Sequence, residues 1–140
     1  MSNWFMSWLL RSPFHGLISG SILLITYNGR RSGKQYSAPL NYVRDGNQLW
    51  VTSVRRRTWW RNFREEWLIR VLLQGKEIAG RGEAITEQDA LSDAFHDFFR
   101  LSPSSARFFK VKLDDDGVPD QGDFERVVAE RVLVKIKIQN

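Results

Sequence analysis

Residues 28–45 read NGRRSGKQYSAPLNYVRD, and the interpretation of this stretch decides the fold. Gly29 and Gly33 bracket Arg30, Arg31 and Ser32, and Lys34 follows. The next residues form an extended segment that carries Tyr36 and Val43 and ends in the turn dipeptide Asp45-Gly46. A backbone tight enough to need two glycines, lined with donors and free of acids, is suited to hold an anion. The stretch therefore predicts a phosphate-holding hairpin between two strands of a small barrel. A solvated basic hairpin would have the same residues. The segment Gly29-Arg-Arg-Ser-Gly-Lys34 is neither a Walker loop nor a dinucleotide fingerprint, because its spacing differs from both and no helix follows it.

Working outward, residues 21–27 form an apolar, β-branched run that predicts a buried strand, and residues 35–43 predict the second. Pro39 lacks an N–H for a ladder, so it marks a bulge or an edge. Asp45-Gly46-Asn47 predicts a hairpin into a third strand over 48–54. Residues 55–63, RRRTWWRNF, predict a loop with one or two helical turns after Thr58. Strands follow over 67–73 and 77–85, joined by Gln74-Gly75-Lys76. In the latter, Gly80, Gly82 and Ala84 share one face, which permits sharp curvature or the close approach of a flat ligand. Thr86 to Asp89 predict a helix start, and Ala90, Leu91, Ala94, Phe95, Phe98 and Phe99 its apolar face. Ser102-Pro103 restarts a short helix, residues 121–130 predict another, and residues 132–138 alternate as a last strand. The sum is an α+β chain, mainly β: a barrel of about six antiparallel strands with peripheral helices. It forms one domain over 1–140, divided into an N-terminal helix and arm (1–20), a barrel meander (21–86), helices (87–130) and a closing strand (131–140).

Composition narrows the chemistry. With no cysteine and only His15 and His96, thiolate chemistry and histidine-based metal sites are excluded, and redox chemistry would need a bound organic cofactor. His96 is expected on the surface. Asp114-Asp115-Asp116-Gly117 lacks the alternating ligands of a calcium loop and predicts a solvated turn. Lys plus Arg number 21 against 16 Asp plus Glu. The excess is local: residues 30–63 hold Arg30, Arg31, Lys34, Arg44, Arg55, Arg56, Arg57 and Arg61 against the single acid Asp45. The N-terminal WFMSWLL lacks the flanks of a secretory signal, and no run approaches the roughly 20 apolar residues of a membrane span. The expectation is a cytoplasmic protein, with the aromatic N-terminal helix serving as core, as a lid over a pocket or as a peripheral membrane contact. Cations beside aromatics in RRRTWWRNF suit a planar ring with phosphate nearby, and suit single-stranded nucleic acid as well. No catalytic dyad or triad emerges from the spacing.

In order, ITYNGRRSGKQYSAPLNYVRDGNQLWVTS, WWRNF and WLIRVLLQGKEIAGRGEAIT resemble the deazaflavin-dependent nitroreductases and quinone reductases, a branch of the split β-barrel flavin-binding superfamily. The resemblance implies a split barrel that binds the deazaflavin coenzyme F-420, with FMN as the alternative cofactor. It places Arg30, Arg31, Ser32 and Lys34 at the phosphate and acidic tail, and Ala38, Pro39, Leu40, Thr52 and Ser53 along the ring, with Trp60 and Asn62 closing the far side. Tyr36 and Ala38 stand where the family often has a basic residue and an asparagine. Val54-Arg55-Arg56-Arg57 replaces its usual Lys-Gly-Gly loop, so Arg55, Arg56 and Arg57 would supply the positive charge there, with Arg55 and Arg56 as the cofactor-binding candidates. The implied reaction delivers hydride from the reduced ring to a small-molecule acceptor, a quinone, nitroaromatic or enone. A homodimer is expected by analogy, and nucleic acid is not an expected partner. A non-catalytic carrier or sensor of the same ligand, and a basic surface for nucleic acid or anionic membrane, are the alternatives.

Overall fold

The computed structural model describes residues 22–139. The helix expected over 1–20 lies outside them. Seven strands form one sheet: β1 (Ile22–Asn28), β2 (Gln35–Asn41), β3 (Val43–Asp45), β4 (Gln48–Val54), β5 (Trp67–Leu73), β6 (Lys76–Ile85) and β7 (Arg131–Ile138). Their order is β2-β1-β5-β6-β7-β4-β3, and every neighbouring pair is antiparallel. β2 and β4 approach each other without a hydrogen-bonded ladder, so the barrel is split along that seam.

Seven strands replace the expected six because the second divides at Tyr42. Residues 35–41 pair with β1 and residues 43–45 with β4, so a single run of chain crosses the seam at Tyr42 and serves both edges. Pro39 lies in the edge strand β2 with the β1 register unbroken, which makes it an edge proline and not a bulge. The strands are also not a simple meander. β4 pairs with β7, and β5 pairs with β1, across a connection that contains a 3-10 helix (Trp59–Phe63). Hairpin signals report only neighbours in sequence, whereas these long-range pairs depend on barrel closure.

Period-two burial divides the apolar residues between two layers. Leu23, Ile25, Leu49, Val51, Val71, Val132, Val134 and Ile136 fill the barrel, together with Phe63. Trp50 and Leu133 point from the sheet's other face to α1 (Gln88–Leu101) and α3 (Gln121–Glu130), where Leu91, Phe95, Phe98, Phe99, Phe124 and Val127 form the second layer. α2 (Pro103–Phe108) follows α1 directly, with Pro103 at its start. On β6 the small face is filled from within: a Cβ on Gly82 would lie 3.0 Å from the Phe63 ring, and one on Gly80 2.6 Å from the Lys137 carbonyl oxygen. The glycines thus admit a side chain and a neighbouring strand of the protein itself. His96 is exposed and stacks on Phe124 at 4.1 Å. The Asp114 carboxylate accepts hydrogen bonds from the Asp116 and Val118 N–H groups, which holds its turn.

The cap of α1 is Glu87, one residue beyond the expected Thr86, and its carboxylate accepts from Asp89 N–H and Ala90 N–H at 3.1 and 2.8 Å. These two bonds stabilise the ionised form and lower the Glu87 pKa. A carboxylate with a lowered folded-state pKa contributes stability that is complete above its unfolded value and lost as pH falls through the folded value. The acid limb of stability should therefore be shallower in Glu87→Gln, which keeps an acceptor but does not titrate. Urea midpoints followed from neutral pH down through the carboxylate range provide the check, and parallel limbs would remove this role from Glu87.

Candidate functional site

The turn between β1 and β2 closes through Gly29 N–H to Lys34 O at 2.8 Å and Gly33 N–H to Gly29 O at 2.9 Å. Gly33 has φ +72°, a left-handed value that a side chain would strain. The Ser32 hydroxyl accepts from Lys34 N–H and lies 3.3 Å from the Tyr36 hydroxyl. The turn is thus rigid, and it projects Arg31 and Lys34 as side chains with no partner among the described residues.

Arg30 has a different role. Its Nε donates to Asn62 O at 2.6 Å, its Nη2 donates to Glu65 O and Glu66 O at 2.9 and 3.1 Å, and its guanidinium lies 4.0 Å over the Trp67 ring. Its backbone N–H donates to Asn62 Oδ1 at 3.0 Å, while Asn62 Nδ2 donates to Trp59 O at 2.8 Å. Arg30 and Asn62 together clamp the turn to the 3-10 helix. Most of the N–H capacity expected for an anion at Arg30 is taken up by carbonyls.

The clamp builds a cleft of about 750 Å3 between the turn and the 3-10 helix. Tyr27, Tyr36 and Trp59 are its aromatic walls, and Arg31, Arg61 and Arg64 its cationic rim. Burial raises the Tyr27 pKa, with the Tyr36 hydroxyl adding to the rise, so Tyr27 is the neutral phenol here. None of the three rim arginines has a carboxylate partner among the described residues, and no acid lines the cleft.

Several predicted positions lie elsewhere. Trp60 is only 4% exposed and donates its indole N–H to Arg55 O at 3.1 Å, so it belongs to the core; Trp59, one position earlier, faces the cleft. Ser53 is 4% exposed, and its hydroxyl accepts from Trp59 Nε1 at 2.9 Å, which positions that wall rather than lining a ligand surface. Arg55 donates to Val128 O and Arg131 O and ties the loop to α3 and β7. Arg56 is exposed and lines neither cleft. Ala38 packs on the barrel core. Pro39, Leu40 and Thr52 line a second cleft of about 570 Å3, at the other end of β2, closed by α1 and α2. Arg61 and Arg64 were missed at the first cleft, although Thr58, Arg61 and Arg64 recur at the three-residue spacing of one helical face. Arg131 and Trp50 were missed at the second.

The model of the F420H(2)-dependent quinone reductases matches residues 12–111. The chain belongs to that family. It is accordingly a deazaflavin-dependent oxidoreductase. No curated protein matches. Among solved structures, the reductase is similar to a Listeria innocua protein provisionally assigned as a pyridoxamine 5'-phosphate oxidase, at 12% identity and TM-score 0.53, covering 86% of this chain and 85% of that one. It is similar also to the FAD and heme binding protein of Mycobacterium smegmatis, at 14% identity and TM-score 0.52, covering 92% and 67%. A chain described as a domain-swapped dimer matches at 16% identity and TM-score 0.53, covering 85% and 80%. These likenesses establish the split-barrel α+β fold.

The reductase's own donor set fits F-420. An acidic, phosphate-bearing tail requires cations that the protein does not already neutralise, and Arg31, Arg61 and Arg64 around one cleft meet that requirement. Among the described residues, no helix is long and apolar enough to cross a membrane.

Proposed function

We propose that the first cleft holds the acidic tail of F-420 and that the ring lies along the free edge of β2, over Ala38, Pro39 and Leu40 and beside Thr52. When bound, the coenzyme supplies hydride to a quinone or a related nitroaromatic or enone acceptor. The protein's part is to grip, orient and exclude water. Arg31, Arg61 and Arg64 hold the anionic end, Tyr36 and Trp59 flank the linker, and Arg30 with Asn62 keeps the turn at the right distance from the 3-10 helix. From Tyr36 to Leu40 β2 rises about 13 Å, at roughly 3.3 Å per residue, which suits an elongated ligand reaching from one cleft to the other.

The observation that carries this reading is the set of three guanidiniums around one cleft without an acid among them. Their spread also favours the longer F-420 tail over the single phosphate of FMN. Fluorescence titration of the protein with oxidised F-420 tests it, with FMN as competitor. Arg31→Ala should weaken binding by about 1–3 kcal/mol, roughly 5- to 150-fold, the scale of one charge-assisted hydrogen bond. Unchanged affinity would refute the assignment of Arg31. Oxidation of reduced F-420 by menadione then separates an enzyme from a carrier that binds without turnover. The domain-swapped relative supports a homodimer for this chain as well, and sedimentation velocity decides it.

A further inference from the structure

The second cleft carries a cation whose hydrogen-bonding capacity is only partly used among the described residues. Arg131, at the start of β7, reaches Thr52 Oγ1 with its Nε at 3.3 Å, a long bond, and places its guanidinium 4.6 Å over the Phe109 ring. Its terminal nitrogens have no acceptor and no carboxylate partner among the described residues. Burial pushes the Arg131 pKa down; the Glu130 charge partly offsets this and Arg57 adds to it. Trp50 lines the same cleft at 5% exposure, and its Nε1–H is the one buried side-chain donor left without an acceptor among the described residues. A buried N–H without an acceptor costs about 1–3 kcal/mol, and a half-buried guanidinium whose terminal nitrogens lack an acceptor adds to that cost. Leu40, Phe98 and Phe109 supply apolar wall, Ser102, Ser104 and Ser105 line the same cleft, and the exposed Phe108 stands at the rim.

We propose that this cleft is a binding site for a planar aromatic acid, whose ring lies between Phe98 and Phe109 and whose anionic oxygen accepts from the terminal nitrogens of Arg131. The volume of about 570 Å3 suits a molecule of two fused rings. A half-buried guanidinium on an aromatic wall gives the cleft a preference for an anion over a neutral ring. Arg131 therefore selects for charge, while the aromatic walls select for flatness. The site rests on the function proposed above only for its position beside the cofactor ring, which makes its occupant the electron acceptor; binding itself does not depend on that.

The probes are 2-hydroxy-1,4-naphthoquinone, ionised at neutral pH, and its neutral 2-methoxy counterpart, titrated calorimetrically into the protein without cofactor. The wild type should bind the hydroxy compound about tenfold tighter or more, the worth of one charge-assisted hydrogen bond. Arg131→Met should abolish that preference, and Arg131→Lys should retain part of it. Equal affinity of the wild type for the two would overturn the proposal with no variant needed, as would a preference that survives Arg131→Met in a folded protein. F-420 titration of the same samples separates the two readings. Loss of F-420 binding with the naphthoquinone preference intact would sink the cofactor assignment and leave this site standing.

Discussion

Phe63→Ala should destabilise the protein by about 3–5 kcal/mol, the range for deleting a buried phenylalanine ring. Phe63 is fully buried at the end of the 3-10 helix, where it packs on Tyr27 at 5.1 Å and on Trp59 at 6.0 Å between ring centroids. Its ring also occupies the space that Gly82 leaves open on β6. Gly82 cannot fill the resulting cavity, and Tyr27 and Trp59 would lose the surface that holds them as walls of the first cleft. Phe63→Leu, which keeps most of the volume, should cost about 1–1.5 kcal/mol. Urea unfolding measures both. A Phe63→Ala midpoint equal to that of the wild type would show that this ring does not anchor the helix.

Removing two rim cations together, Arg31→Ala with Arg64→Ala, should lower F-420 affinity by about 2–6 kcal/mol, twice the single-site scale if the two contacts are independent. Both side chains are exposed and have no carboxylate partner among the described residues, and Arg64 adds only a distant contact of 5.8 Å over the Trp60 ring, so the melting temperature should barely move. Arg30→Ala should show the opposite signature. Its bonds to three carbonyls and its contact with Trp67 hold the turn, so stability should drop by about 1–2 kcal/mol, with affinity falling only as the cleft loosens. Paired titrations and melts of the two variants resolve the roles. Equal stability losses in both would mean that the rim arginines are structural.

The barrel was legible because its signals are local. Apolar alternation, Asp45-Gly46 and Gln74-Gly75 mark strands and turns within a few residues, and all fall within two residues of the observed positions. The basic turn was legible as a donor-rich loop for the same reason. Roles within it were not. Arg30 and Arg31 are adjacent and chemically identical, yet one spends its guanidinium on carbonyls from residues 62–66 while the other has no partner among the described residues. Trp59 and Trp60 divide in the same way between cleft and core. Nothing in a pair of identical neighbours says which will turn inward, because that depends on which backbone and hydroxyl acceptors the fold brings to each of them.

From the residues alone came the class of fold, the anion-holding turn and the concentration of positive charge around it, since propensity, periodicity and charge are properties of short segments. The seam between β2 and β4, the sorting of arginines into clamps and rim cations, and the second cleft with Arg131 on its wall came only with the tertiary structure. Each of these joins segments far apart in the chain, and hydrogen-bond supply at a site is settled by which distant carbonyls and carboxylates arrive there.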